Sequence, residues 1–339
     1  MIKEVTIENY KSIQSLTLPL GRVTVLIGEN GCGKSNILEA IALGSAAAAD
    51  KLDNEFLASR GIRVTDPKLM RSGFTVENFS KKIAISFIPD SYLLQDIILD
   101  YSLNHTNETY SSWSREISND PKIANQYDSF IKKTFYDKFN IKLDNDRLKR
   151  LKEHIELSTP ENLRFILIKS GISEYEKDVL NFLIFSLEFT ELKEFSREGQ
   201  IEPLGIKGQG LFKYLRYLSQ PQFKDKLDEI KEKLELIDWF EDFDIPDNLY
   251  PGEKTLKVKD RYLDSDLEYF DQRSANEGFL FLLFYFCLFI GEETPKFFAI
   301  DNIDSSLNPR LCRRLIQELV ELAKKYDKQV ILTTHNPAA

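Results

Sequence analysis

Eight residues near the N-terminus, Gly28-Glu29-Asn30-Gly31-Cys32-Gly33-Lys34-Ser35, constrain this chain more than any others. They follow Arg22 to Ile27, a short β-branched run that reads as a buried strand. They precede Ile37, Leu38, Ile41 and Ala42, which recur at helix spacing. A glycine-rich loop closed by Lys-Ser between strand and helix is the Walker A arrangement in the context it requires. Glycines let the loop wrap so that backbone N–H groups face an anion, and the helix start adds the positive end of its dipole. From average residue usage, a chance match arises in on the order of one per cent of chains this long. The loop implies binding of ATP with Mg²⁺. Glu29, Asn30, Gly31, Cys32, Gly33, Lys34, Ser35 and Asn36 would line the phosphates. Lys34 would reach the β- and γ-phosphates, and the Ser35 hydroxyl would ligate the metal. Cys32 stands at a variable position of the motif and is expected to act only as a small residue in a tight loop.

Before the loop, Val5 and Ile7 alternate with polar residues, as do Leu16 and Leu18, which predicts two half-buried strands. Far downstream, Phe297 to Ile300 reads as a buried strand ending in Asp301, a Walker B pattern in which the acid would hold Mg²⁺. Alone that pattern is weak, because many strands end in aspartate. Upstream of it, Ser274-Ala275-Asn276-Glu277-Gly278 opens the apolar run Phe279 to Ile290, too short to cross a bilayer and read as a buried helix. Ser274 is expected to cap that helix. Arg310 to Lys325 is amphipathic, with Leu311, Leu315, Leu319 and Leu322 on one face, and leads to a strand, Gln329 to Thr334, that ends at His335.

Composition excludes some classes. The 339 residues carry 45 Lys/Arg against 54 Asp/Glu, so the surface is not uniformly positive for nucleic acid, although a local patch can lie beneath that average. Three cysteines, Cys32, Cys287 and Cys312, lack paired spacing, which argues against a disulfide framework or zinc site and for a reducing compartment. The opening MIKEVTIENYKSI is charged where a signal peptide needs an apolar core, so a cytoplasmic protein is expected, with no membrane partner.

Taken in order, IENYKSI (7–13), GENGCGKSNILEAI (28–41), SANEGF (274–279), FFAIDNIDSSLNP (297–309) and TTHNP (333–337) resemble the ATPase heads of the SMC, RecF and OLD families. Within that superfamily the chain looks most like the ATPase subunits of bacterial anti-phage systems of Septu or PARIS type. The resemblance implies an α/β, ABC-ATPase-like fold: a mixed sheet around a P-loop helix, with an inserted helical subdomain. It makes Ser274, Asn276, Glu277 and Gly278 the signature that caps the γ-phosphate bound by the opposite protomer. It makes His335 the switch histidine and Ser305 to Asn308 the D-loop at a dimer interface. A homodimer or higher oligomer follows, because a signature is useful only against another protomer's nucleotide. For His335, a strand-end histidine capping a turn is the plain alternative.

One departure bears on catalysis. Such ATPases usually carry Asp-Glu at the end of the Walker B strand, whereas here Asn302 follows Asp301. An amide can hold a water but cannot accept its proton. Either hydrolysis is slow and ATP mainly holds a closed state, or Asp304 takes over the polarising role; an engineered ATP-trapping substitution is a third account. We favour slow hydrolysis, with Asn302, Asp304 and His335 as the catalytic candidates. The chain stops at Ala339, soon after the histidine strand, without room for the C-terminal TOPRIM nuclease of OLD proteins. A separate effector, a nuclease, is therefore expected as partner, and the abrupt end suggests that C-terminal residues are absent from the sequence.

Three parts are expected along the chain: 1–95 as a first ATPase lobe, 96–245 as a mostly helical insertion, some of which can belong to the core, and 246–339 as a second lobe. Lys82 to Ile88 alternates as a strand, and 119–157 is helical in pattern, with Leu148, Leu151 and Ile155 at helix spacing. Phe223, Leu227, Ile230, Leu234 and Ile237 form a 4-3-4-3 seam. Ordinary packing within the domain explains that seam more simply than a partner-docking hairpin. Residues 121–154 hold nine Lys/Arg against five Asp/Glu with aromatics interleaved, so nucleic-acid contact is possible, though a solvated helix face is the simpler account. Gln95 is only a guess for the glutamine that reaches Mg²⁺ in this superfamily. The expected function is an ATP-gated regulator of a nuclease in phage defence. A RecF-like repair ATPase acting on DNA, or a module merely stapled by ATP, stand as alternatives.

Overall fold

A computed structural model of the chain describes residues 1–90, 99–108, 110–116, 128, 132, 136, 140–154, 178–195, 202–246, 253–264 and 269–337. In chain order its strands are β1 (Ile2–Tyr10), β2 (Ile13–Pro19), β3 (Val23–Ile27), β4 (Ile83–Pro89), β5 (Leu99–Asn104), β6 (Ser114–Glu116), β7 (Ile184–Phe185), β8 (Phe240–Asp244), β9 (Lys257–Asp260), β10 (Phe270–Asp271), β11 (Phe297–Ile300) and β12 (Gln329–Thr334). Its helices are α1 (Lys34–Ala48), α2 (Asn54–Ser59), α3 (Asn145–His154), α4 (Phe189–Glu194), α5 (Leu211–Leu218), α6 (Lys224–Leu234), α7 (Glu277–Ile290) and α8 (Pro309–Lys325). The chain folds into two units whose segments alternate in sequence. Met1–Gly21, Glu39–Leu57 and Arg63–Asn181 make the first; Arg22–Leu38, Ala58–Ile62 and Phe182–Ala339 make the second.

The first unit is an antiparallel sheet in the order β2-β1-β4-β5-β6. Its alternating strands bury one face, with Val5, Ile7, Ile83, Ile85, Phe87 and Leu103 fully covered. Register pairs Tyr10 with Ile13, which leaves Lys11 and Ser12 as a two-residue turn with Lys11 at φ 45°. That left-handed conformation costs a lysine about 1 kcal/mol. Several bonds offset it: Lys11 N donates to Met70 O at 3.0 Å, and its ammonium pairs with the Glu39 carboxylate. Glu39 is buried and also receives Arg63 and, at 3.2 Å, the Tyr10 hydroxyl; burial, then the Glu39 charge, push the Tyr10 pKa well up. The small run Gly44-Ser45-Ala46-Ala47-Ala48 lets α1 approach β4 closely. A Cβ on Gly44 would stand 2.7 Å from Ile85 Cγ2 and 2.8 Å from Phe87 Cε2.

Arg71 ties this unit together. It is 1% exposed, and its guanidinium donates to Lys81 O at 2.8 Å, to Asn107 Oδ1 at 2.7 Å and to His105 O at 2.7 Å, while lying 5.0 Å over the Trp113 ring. Burial lowers its pKa. Beside it, buried Asn9 donates to the carbonyls of Asn78, Lys81 and Lys82 and accepts from Ser72 N.

The second unit is built on a parallel sheet in the order β3-β12-β11-β7. β11 and β12 are buried at every position, as central parallel strands must be when both faces are covered. The α7 helix is apolar all round, with every residue from Phe279 to Ile290 buried, so it forms the axis of this core. Around it pack α4, α6 and the Leu315, Leu319 and Leu322 face of α8. In the seam, Ile230, Leu234 and Ile237 are buried and Phe223 and Leu227 pack against them, so the 4-3-4-3 pattern is intradomain packing. A small antiparallel sheet, β10-β9-β8, completes the unit.

The fold is of the α/β class expected, with its strands arranged in antiparallel and parallel sheets. Arg22 to Ile27 is not buried: β3 is an edge strand of its sheet among the described residues, half-covered, with Ile27 51% exposed. The stretch 96–245, expected to be mostly helical with some of it in the core, carries strands as well as helices among the described residues. It supplies β5 and β6 to the first unit, and β7, α4, α5, α6 and β8 to the second, where β7 pairs in parallel with the Walker B strand. The expected strand at 82–88 is β4, and the helical pattern over 119–157 is met by α3. The remainder of that pattern, most of the basic segment and Gln95 lie outside the described residues. No described helix is long and apolar enough to cross a membrane.

Replacing Arg71 with methionine keeps the volume but removes the donor to Asn107 Oδ1 and to the buried His105 O, while Lys81 O keeps its bond from Asn9. The expected loss is about 3 kcal/mol in urea unfolding. A loss below about 1 kcal/mol would show that the network does not anchor this unit.

Candidate functional site

Parallel pairing decides where the motifs meet. Thr334 of β12 is in register with Ile27 of β3, and Leu332 with Ile300 of β11. Gly28 therefore emerges beside His335, and Asp301 beside Thr333, at the carboxyl end of the sheet, where open α/β folds place their ligands. Each of these residues belongs to the second unit.

The loop needs its glycines. Gly31 and Gly33 sit at φ 82° and 101°, where a side chain is strained, and a Cβ on Gly28 would stand 2.6 Å from Cys32 Sγ. Lys34 is 7% exposed, and its ammonium donates to Gly28 O at 2.7 Å, to Glu29 O at 3.0 Å and to His335 Nδ1 at 3.1 Å. His335 Nδ1 also lies 3.1 Å from Gly28 O, so this ring nitrogen faces both the ammonium and a loop carbonyl. The ring itself is exposed beside the loop. The first amides of α1, those of Lys34 and Ser35, have no preceding helical turn to donate into and are available to an anion.

The Ser35 hydroxyl donates to Asp301 Oδ2 at 3.0 Å, and the Thr333 hydroxyl donates to Asp301 Oδ1 at 2.6 Å. A hydroxyl and a carboxylate are the hard oxygen donors that suit Mg²⁺. Among the described residues no cluster of three or more His, Cys, Asp or Glu could cage a metal alone. The donor set fits Mg²⁺ brought by a nucleotide, which Ser35 and Asp301 would hold.

After Asp301 the chain turns sharply. Asn302 lies at φ 59°, in the left-handed region where asparagine is enriched because its short polar side chain bonds locally, and its N–H donates to Thr333 Oγ1 at 2.8 Å. Asp304 has one carboxylate oxygen, Oδ1, buried with no hydrogen-bond partner among the described residues. Burial, then the Asp304 charge, push the Cys312 thiol up to about 11.

At the other motif, Asn276 caps α7, accepting from Phe279 N at 2.8 Å, so Ser274 is not the cap. Ser274 instead turns back to Asp271, its N–H donating to Oδ1 at 3.1 Å and its hydroxyl at 3.3 Å. Asn has the same capping chemistry and stands next to the first helical residue, Glu277. Gly278 meets Ser305 to Asn308 closely: a Cβ there would stand 3.2 Å from Leu307 Cδ2 and 3.4 Å from Ser306 O. Asn276, Glu277 and Gly278 line an open groove of about 840 Å³ with Trp239, Arg310 and Arg314. The structure thus bonds Lys34 to His335 and Ser35 to Asp301 at neighbouring strand ends, and sets Gly278 of the signature close against the D-loop. Sequence reasoning missed Thr333 and the groove residues. The only signal for Thr333 was its place at the start of TTHNP, which does not say what its hydroxyl bonds.

Fold and site define an ABC/SMC-like P-loop ATPase of RecF/OLD type. The chain belongs to the family described as "AAA domain, putative AbiEii toxin, Type IV TA system", which matches residues 23–339. It is similar to the "OLD nuclease" of Thermus scotoductus, 30% identical over 90 residues, which are 23% of this chain and 17% of that protein. It is also similar to the "Retron Ec83 probable ATPase" of Escherichia coli, 24% identical over 198 residues, 57% of this chain and 34% of that one. The chain therefore spans about a sixth and a third of the lengths of these curated relatives. Among solved structures, an SMC head bound to the C-terminal winged-helix domain of ScpA shares the fold, with a TM-score of 0.51 and 14% identity over 99% of this chain and 90% of that one.

The left-handed turn predicts the tolerance of position 302. Without nucleotide, Asn302→Glu should cost about 1 kcal/mol in chemical denaturation, and Asn302→Gly should cost nothing. Equal stability of the wild type and the glutamate variant would contradict the strained turn.

Proposed function

We propose that the chain binds ATP with Mg²⁺, hydrolyses it slowly, and closes head to head on a second copy while ATP is held. In that state it regulates a separate effector, a nuclease, in a defence system. The observation that carries the ATP reading is the bonded set at the three strand ends, Lys34 with His335 and Ser35 with Asp301. Mg²⁺ bound with ATP neutralises charge on the phosphates. Ser35 and Asp301 hold that metal, Lys34 presents its ammonium to the β- and γ-phosphates, and the loop amides of Glu29 to Asn36 line them. His335, at the end of its strand beside the loop, senses the γ-phosphate. Asn302 orients the attacking water without taking its proton, which supports slow turnover. Asp304, with a buried and unbonded oxygen, is the other acid within the turn.

The dimer rests on the signature. Ser274, Asn276, Glu277 and Gly278 have no hydrogen bond to the loop of their own chain among the described residues, which supports their acting on a partner's nucleotide. Placement in defence is supported by the family's description and by the similarity to a retron ATPase and an OLD nuclease.

Light scattering of the purified protein tests this. The wild type should double its mass with ATP and Mg²⁺. Lys34→Ala should neither bind ATP nor dimerise, and Gly278→Asp should bind ATP yet stay a monomer. A wild-type mass that ATP leaves unchanged would overturn the dimer, and absence of ATP binding would overturn the whole reading.

A further inference from the structure

Thr333 is fully buried near the end of β12, two residues before His335. Its hydroxyl is used twice, donating to Asp301 Oδ1 at 2.6 Å and accepting from Asn302 N at 2.8 Å, while its carbonyl accepts from Ile303 N at 3.0 Å. Both oxygens of Asp301 are thereby taken, Oδ1 by Thr333 and Oδ2 by Ser35. A hydroxyl donating to a carboxylate at this distance makes a strong, charge-assisted bond. A hydroxyl can give to the acid and receive from the amide at once through a single oxygen. Serine can do the same; valine, of equal shape, can do neither.

We propose that Thr333 is a positioning residue for the metal. It fixes the carboxylate of Asp301 so that one oxygen faces Ser35, and it holds Asn302 in its left-handed turn through the same oxygen. The end of the histidine strand and the metal-holding turn are thereby locked to each other. This inference rests on the Mg-ATP reading of the site. Groups that orient a metal ligand typically change metal affinity 10–100-fold when removed.

The test titrates a fluorescent ATP analogue into wild type, Thr333→Val and Thr333→Ser, at varied Mg²⁺ and in EDTA. For Thr333→Val the Mg²⁺ concentration at half-saturation should rise about 10–100-fold, while binding in EDTA stays at the wild-type value. Thr333→Ser should keep the wild-type Mg²⁺ dependence. An unchanged Mg²⁺ requirement in Thr333→Val would overturn the proposal. So would an equal loss of affinity in EDTA, which marks a purely structural role. If the valine variant does not fold, Thr333→Cys, with similar volume and a weaker donor, should show an intermediate rise, and no rise there overturns the proposal. A wild type that binds no nucleotide, or a Lys34→Ala variant that binds as well as the wild type, would overturn the Mg-ATP reading itself and this inference with it.

Discussion

The parallel register of β12 against β3 and β11 is the constraint on which the site depends. It sets Gly28 beside His335 and Asp301 beside Thr333. Side chains alternate along a strand, so a slip of one residue would send Thr333 and its neighbours to the opposite face. The register is held by burial: every residue of β11 and β12 is covered, and α7 beneath them is apolar on all sides. The hydrophobic core therefore does more than stabilise. It fixes the positions at which Lys34, Ser35 and Asp301 stand.

Polar bonds then refine what the core has set. The carboxylate of Asp301 is shared between two hydroxyls, and the ammonium of Lys34 joins two loop carbonyls to His335. The turn after Asp301 demands a residue that tolerates left-handed backbone, and asparagine does so more readily than glutamate. Conformation and chemistry thus point the same way at position 302. The residue that fits the turn is also one that cannot take a proton from water.

Much of this was legible in the sequence, and the limits have physical causes. The loop from Gly28 to Ser35, the buried helix from Phe279 and the amphipathic helix from Arg310 announced themselves because their signals are local, carried by spacing of a few residues. What local spacing cannot carry is pairing across hundreds of residues. The edge position of β3, the separation of the two sheets and the insertion of β7 beside β11 depend on such pairings. Arg71 was missed for a related reason, since an arginine surrounded by carbonyls has no sequence pattern. The cap of α7 was misplaced by two residues, because Ser274 and Asn276 offer the same chemistry and only the backbone decides between them.

The central claim is that this site holds ATP for long because Asn302 stands where a proton acceptor is usual. Single-turnover hydrolysis measures it most directly. The account predicts slow hydrolysis in the wild type and an acceleration of at least about tenfold in Asn302→Glu, at the low end of what a general base contributes. Brisk wild-type hydrolysis that Asn302→Glu leaves unchanged would contradict it and would move the catalytic role to Asp304.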